Sequence, residues 1–202
     1  MLKNQINGND IVLLQSLSVD AWHKGADVAQ QALFEQLILE QHRHNYDLWH
    51  EEDEARRVDV SDAAIAKVKR AIDKLNQMRN DCIEKIDNYL ISVIAKANIT
   101  MAENARRNSE TPGSIIDKLS IISLRIYHMN EQLDRTDADA SHIEKCKNRL
   151  SILNEQQRDL TDSLTELWAD LCVGKKLLKV YRQFKMYNDA TLNPAIYKAK
   201  KV

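Results

Sequence analysis

Between Ile143 and Leu171 the apolar positions step by three and four residues: Ile143, Cys146, Leu150, Leu153, Gln157, Leu160, Leu164, Leu167 and Leu171. That spacing keeps one face of an α-helix apolar along its whole length, whereas a strand would alternate its faces every second residue. A stripe this long needs equally long helices to cover it. The chain supplies one in Ile65, Val68, Ile72, Leu75, Arg79, Cys82, Ile86, Tyr89 and Val93, which keep the same rhythm. One member of that second stripe is a guanidinium, Arg79, with Asn76 close before it.

The rest of the chain agrees with helix. Only four Gly and two Pro occur in 202 residues, all at apparent punctuation, and no segment alternates with period two over strand length. The expected fold is therefore all-α: an elongated antiparallel bundle of about five helices, two of them long, with no sheet. No Pro-, Gly- or Ser-rich linker divides the chain, so residues 1–202 are expected to form one helical domain with a basic segment at 174–202.

The expected helices are placed by their caps. Asn9 or Asp10 starts the first, and Gly25 ends it. The second runs from Asp27 to about Arg57; the third starts at Asp59 or Ser61 and ends by Asn108, with Asn98-Ile99-Thr100 as the place where it can be interrupted. Thr111-Pro112 opens the fourth, a hydroxyl cap followed by Pro at the first helical position, and the fourth reaches about Arg135. Ser141 caps the fifth, Gly174 bends or ends it, and Lys175 to Tyr187 resumes a helical pattern.

Chemistry concentrates in the second helix, at His42 to Arg57. Leu33, Phe34, Leu37 and Ile38 give it an apolar face, but the positions that should continue that face are Asn45, Trp49, Glu52, Asp53 and Arg56. Buried polar groups need partners. Trp49, Glu52, Asp53 and Arg56 share a face through three- and four-residue spacing, and His50, Asp53 and Arg57 share an overlapping one. The functional reading is a polar pocket in which His50, Asp53 or Glu52 moves a proton and Arg56 holds an anion. The plainer reading is an Asp53–Arg57 surface pair with His50 as a packing residue. Arg79 tilts the balance, because a buried guanidinium requires Glu52, Asp53, Asp117 or an anionic ligand beside it.

Charge and spacing narrow the partners. Residues 174–202 carry a net +7 against −8 for the remainder. Tyr181, Phe184 and Tyr187 lie among Lys179, Arg182 and Lys185, a pattern that can stack bases, but the acidic body opposes a polyanion, so nucleic acid is not the expected partner. Asp20-x-x-His23, Asp47-x-x-His50 and Asp139-x-x-His142 have the spacing of carboxylate-bundle metal motifs but use the shorter acid, so no metal and no cofactor is expected from them. Asp20-Ala-Trp-His23 and Asp47-Leu-Trp-His50 look alike, over four residues only. No Gly-rich phosphate loop, HExxH or nucleophile elbow occurs. Cys82, Cys146 and Cys172 form no CxxC pair and read as reduced core thiols of a cytoplasmic protein. The N-terminus shows no signal-peptide pattern, and no run approaches the ~18 apolar residues of a membrane span.

Four motifs in order carry a resemblance. They are Trp49-His50-x-Glu52-Asp53-x-x-Arg56; Ile72-Asp73-x-x-Asn76-Gln77-x-Arg79-x-Asp81; Thr111-Pro112 through Ile116-Asp117-Lys118-Leu119-Ser120-Ile121 to Tyr127-His128-Met129; and Tyr181 to Asp189 with Leu192-Asn193-Pro194. Over about residues 30–197 the chain resembles the bacterial family known as domain of unknown function 4254. One departure is Ala190, where the family carries Pro after the Asn-Asp pair. The resemblance implies a helical fold and no established chemistry; it also implies an association with glycosyltransferases of surface-polysaccharide synthesis.

Two functions are expected to compete, with metal-dependent oxidation a distant third. One is an interior pocket for a small anion of the sugar-phosphate or nucleotide-sugar type. Trp49, Arg56, Asn76, Arg79, Asp117, His128, Arg182 and Asn188 would bind the ligand, Arg182 closing over Arg56 and Arg79, with His50, Asp53 and Glu52 as acid/base groups. The other is a non-catalytic adaptor that docks a partner such as a glycosyltransferase, or a second copy, through its long helices.

Overall fold

The computed structural model describes residues 6–29, 31–182 and 186–198, the side chain of Tyr187 apart. Phe184, Lys185, Lys200 and Lys201 of the basic segment lie outside the described residues. Among the described residues six α-helices carry the fold: α1 (Gly8–His23), α2 (Leu33–Glu54), α3 (Asp62–Lys96), α4 (Pro112–Leu133), α5 (Ala140–Cys172) and a four-residue α6 (Pro194–Tyr197).

The periodic stripes become the core. Ile72, Cys82 and Ile86 of α3 are buried, as are Cys146, Leu153, Leu164, Leu167 and Leu171 of α5. Ile86 and Leu90 join Phe34, Ile38, Ile116, Leu119, Leu164 and Trp168 in one apolar cluster. The most central helix is α4, apolar on two sides and in contact with α1, α2, α3 and α5. It begins as the Thr111-Pro112 pair requires: the Thr111 hydroxyl accepts from the Ser114 amide at 3.1 Å, and the Ser114 hydroxyl accepts from the Thr111 amide at 3.0 Å. There α4 comes so close to α3 that a Cβ on Gly113 would stand 2.8 Å from the Ile83 carbonyl oxygen. Along α4, α1 and α2 climb in the same direction: Gln15 and Gln41 meet its first half, and His23 and Trp49 meet its second.

Several boundaries differ from the sequence-based expectation. Helix α2 begins at Leu33, not Asp27, because no side chain caps it and residues 26–29 are not helical. It ends at Glu54, before Arg57. Asn7 caps α1 and Asp139 caps α5, each one short step upstream of the expected residue. Helix α3 stops at Lys96 and does not resume before Asn108: the chain breaks at the interruption expected around Asn98, which takes a positive φ of 50°.

The expectation of no sheet is also corrected. Two two-residue strands, β1 (Arg106–Arg107) and β2 (Lys176–Leu177), pair in parallel. Gly174, at φ +70°, turns the chain out of α5 and lets its backbone pass Thr100, whose oxygen would lie 2.2 Å from any Cβ there. The Ala102 amide then donates to the Gly174 carbonyl at 2.9 Å, which holds β2 beside β1. Residues 175–182 are therefore not a resumed helix. No helix of the described residues is long and apolar enough to cross a membrane.

Candidate functional site

Two polar clusters lie along α4, and they differ in how completely their atoms are satisfied. The first centres on Asp117, only 5% exposed. Its Oδ1 accepts from Gln41 Nε2 at 2.6 Å, Asn45 Nδ2 at 3.0 Å and Arg79 Nε at 2.7 Å, and its Oδ2 accepts from Arg79 Nη2. The forked guanidinium and two amides saturate a carboxylate that would otherwise be too costly to bury. Arg79 thus finds the carboxylate it needs on α4, and Asp117 is the one among the three expected.

The network continues through Ser120 to His42. Asn45 donates to Ser120 Oγ at 2.8 Å, and Ser120 lies 2.6 Å from His42 Nδ1. His42 Nε2 lies 3.0 Å from the Gln15 carbonyl, which can only accept, so the ring proton sits on Nε2 and Nδ1 accepts from Ser120. Burial pushes His42 down from 6.5 to about 4. Gln15 Nε2 closes the chain on the Ile116 carbonyl at 3.1 Å. Only the amide oxygens of Gln15 and Gln41 are left over in this network. These groups fasten α1, α2 and α3 to α4. The sequence does not reveal the roles of Gln15, Gln41, His42 and Ser120: Gln41 and His42 sit in a polar run, Gln15 and Ser120 among apolar residues, and the partners of all four lie far away along the chain.

Outside that network a pocket of about 430 Å³ opens between α2, α3 and α4. Trp49, Glu52, Asp53, Arg56, Asn76 and Arg79 all line it, joined by Arg125 from α4. Arg56 is held by Glu52 at 2.8 Å. Arg57 pairs with Glu54 and Asp59, so the expected Asp53–Arg57 pair does not form. A neighbouring groove of about 560 Å³ shares Trp49 and Arg125 and adds His128, Gln132, Arg149 and Ile152. Arg125 and Arg149 form no ion pair with a carboxylate among the described residues, and no carboxylate lines this second groove.

Four expected site residues lie elsewhere. Asp117 is consumed by the network behind Arg79. Arg182 pairs with Glu84 at 3.0 Å, and Asn188 reaches Gln77 at 3.5 Å, so neither lines the Trp49 pocket. His50 turns to the other side of α2, into the second polar cluster.

That cluster is aromatic. His23 ends α1, His50 lies on α2, and His128 lies on α4; their ring centroids are 5.1–5.8 Å apart. His23 stacks on Tyr127 at 4.2 Å and His128 on Trp49 at 4.5 Å, while the edge of His50 meets Tyr46. Nε2 of all three histidines is buried without a hydrogen-bond partner. Each such atom costs on the order of 1–3 kcal/mol. Burial, and then the facing His23 and His128, lower the pKa of His50. The sequence marks His23 through the Asp20-x-x-His23 spacing and through its likeness to the His50 tetrapeptide, but not as a neighbour of His50 and His128.

The sequence model of the family described as a protein of unknown function, DUF4254, matches residues 35–180. The chain belongs to this family. Searches of curated proteins and of solved structures find no match. The DUF4254 segment spans α2 to β2 and contains both pockets, the Asp117 carboxylate, His50 and His128; α1, with Gln15 and His23, precedes it.

Proposed function

We propose that this protein binds a small anionic ligand of the sugar-phosphate or nucleotide-sugar type in the paired grooves around Trp49 and Arg125. One observation carries the reading. Arg125 stands where the two grooves meet and Arg149 lines one of them, and neither is neutralised by a carboxylate among the described residues. By contrast Arg43, Arg56, Arg57 and Arg79 are all ion-paired. Unpaired guanidinium groups beside an indole face suit a phosphate joined to a ring. Asp53 lines the same pocket and is the carboxylate there that no arginine holds, so it would serve as base toward a ligand hydroxyl. Arg79 would position the pocket wall, its charge being already committed to Asp117.

The test is a thermal-shift screen of sugar phosphates and nucleotides on the wild type and on Arg125→Ala. A shift in the wild type that the variant loses supports the reading; a shift of equal size in both, or none in either, rejects it. Arg125 is the right residue to remove because it is exposed, whereas Arg79→Ala would strand the buried Asp117 carboxylate.

A second reading, docking of a protein partner or a second copy, is favoured by a different surface. Leu13 and Leu17 lie one turn apart on α1 and are 57% and 60% exposed. Light scattering of the wild type and of Leu13→Ser/Leu17→Ser separates the cases: a mass that falls to the monomer in the variant supports self-association there.

A further inference from the structure

We infer that His23, His50 and His128 form a binding site for a divalent first-row transition metal, zinc first among them, with Nε2 of each ring as the ligand atom. The site shares only His128 with the lining of the proposed anion grooves, and it stands whether or not that reading holds. One potential ligand nitrogen from each ring lies within 4.8 Å of the others, and the three Nε2 atoms are buried with nothing to bond to.

The outer partners of the rings decide which nitrogen is offered. His23 Nδ1 lies 2.8 Å from the Val19 carbonyl, which can only accept, so Nδ1 carries the proton and Nε2 the lone pair. His128 Nδ1 lies 2.6 Å from the Glu131 carboxylate, which fixes the same tautomer. A carbonyl or carboxylate behind the imidazole is the usual outer shell of a metal-bound histidine, and it raises the basicity of the nitrogen facing the metal. With Nδ1 carrying the proton, His23 and His128 keep the Nε2 lone pair free, and with His50 Nε2 beside them the three buried nitrogens make a donor set that a cation would complete. Stacking of His128 on Trp49 and of His23 on Tyr127 holds two of the rings in place.

The donor set selects the ion. Three imidazoles suit zinc and its neighbours, whereas magnesium and calcium prefer oxygen. With zinc–nitrogen bonds of about 2.0–2.1 Å, tetrahedral ligands stand roughly 3.4 Å apart. The rings must therefore draw in by up to about 1.4 Å from their 4.8 Å limit. Three protein ligands leave one position for water or substrate, the pattern of catalytic rather than structural zinc. The other metal-like group, Glu40, His44 and Cys82, is a poorer host: Lys85 occupies Glu40 at 2.7 Å, and burial pushes the Cys82 thiol up to about 12. Two of the three ligands come from the look-alike tetrapeptides Asp20-Ala-Trp-His23 and Asp47-Leu-Trp-His50, so their similarity has a structural counterpart.

The test uses the tag-free full chain, stripped with a chelator and titrated with Co²⁺. One equivalent bound, with visible d–d absorption that Zn²⁺ abolishes, is the expected result. His50→Gln and His23→Gln should each weaken binding at least about 100-fold, and Glu131→Gln about 10–100-fold, with circular dichroism unchanged. Arg125→Ala, which weakens only the anion pocket, should leave Co²⁺ binding as it is. No Co²⁺ uptake by the folded wild type, as a water-filled cluster would give, overturns the site. So does uptake that persists undiminished in both histidine variants.

Discussion

The Asp117 network and the histidine cluster are both polar, both fastened to α4 and both buried or half-buried, yet they are satisfied in opposite ways. Around Asp117 four hydrogen bonds meet one carboxylate, and the only atoms left over are two amide oxygens at the margin. Around His23, His50 and His128 the outward nitrogens of two rings are engaged, while the same inward nitrogen of all three has nothing. A network whose members complete one another joins helices. A cluster whose members all leave the same nitrogen unbonded is shaped for something that the described residues do not supply. The contrast assigns the first to the fold and the second to a ligand.

The largest expected effect breaks the first side of that contrast. Arg79→Ala leaves the Asp117 carboxylate buried with only amide donors, and should cost about 3–5 kcal/mol in urea unfolding. Replacing both partners with apolar residues, Arg79→Met with Asp117→Leu, should cost less than the single change. A double variant as unstable as the single would show that the pair itself, rather than the stranded charge, is what matters.

The second prediction uses pH. His42 titrates at 6.5 when unfolded and about 4 when folded, so between those values only the unfolded chain holds the proton. Its contribution to stability is complete above pH 6.5 and is lost as pH falls towards 4, by roughly 3 kcal/mol. Asp87 slopes the other way: burial raises it from 3.8 to about 6, so stability falls as pH rises across that range. Subtracting His42→Gln from the wild type at each pH cancels Asp87. The stability advantage of the wild type should shrink from pH 7 to pH 4; an advantage independent of pH would mean that His42 is not held neutral.

These two clusters also show where sequence reading succeeds and where it stops. Arg79 was legible because it interrupts a long regular stripe, and the stripe is legible because helical burial repeats every three to four residues. The helix cap at Thr111-Pro112 was legible because its chemistry is local. Gln15, Gln41, His42 and Ser120 were not, since their meaning comes from partners on other helices. His23 was legible as a spacing with Asp20 but not as a member of this cluster: the fold, not the spacing, brings it to His50 and His128. Strands of two residues are too short for alternation to register, and Gly174 reads equally as a bend or an end until Thr100 is seen against it.

Smaller effects sharpen the contrast from the ligand side. Thr111→Ala removes the cap of the central helix and should cost about 1 kcal/mol in thermal unfolding, with neither pocket altered. Arg125→Ala, at an exposed position, should change stability by less than about 0.5 kcal/mol while abolishing any thermal shift from a sugar phosphate. A large loss of stability in Arg125→Ala would place that guanidinium in the fold instead.

The most direct measurement compares the stripped wild type with His23→Gln/His50→Gln/His128→Gln in thermal melts, each with and without Zn²⁺. If the cluster is a ligand site, Zn²⁺ at 100 times its dissociation constant should stabilise the wild type by about 2.7 kcal/mol and the triple variant not at all. The stripped triple variant loses the stacking on Tyr127 and Trp49 and the two Nδ1 bonds along with three unsatisfied nitrogens, so the changes offset and it should melt close to the stripped wild type. A triple variant that is strongly destabilised without metal, together with a wild type indifferent to Zn²⁺, would contradict the account and make the histidines part of the fold, as Asp117 is.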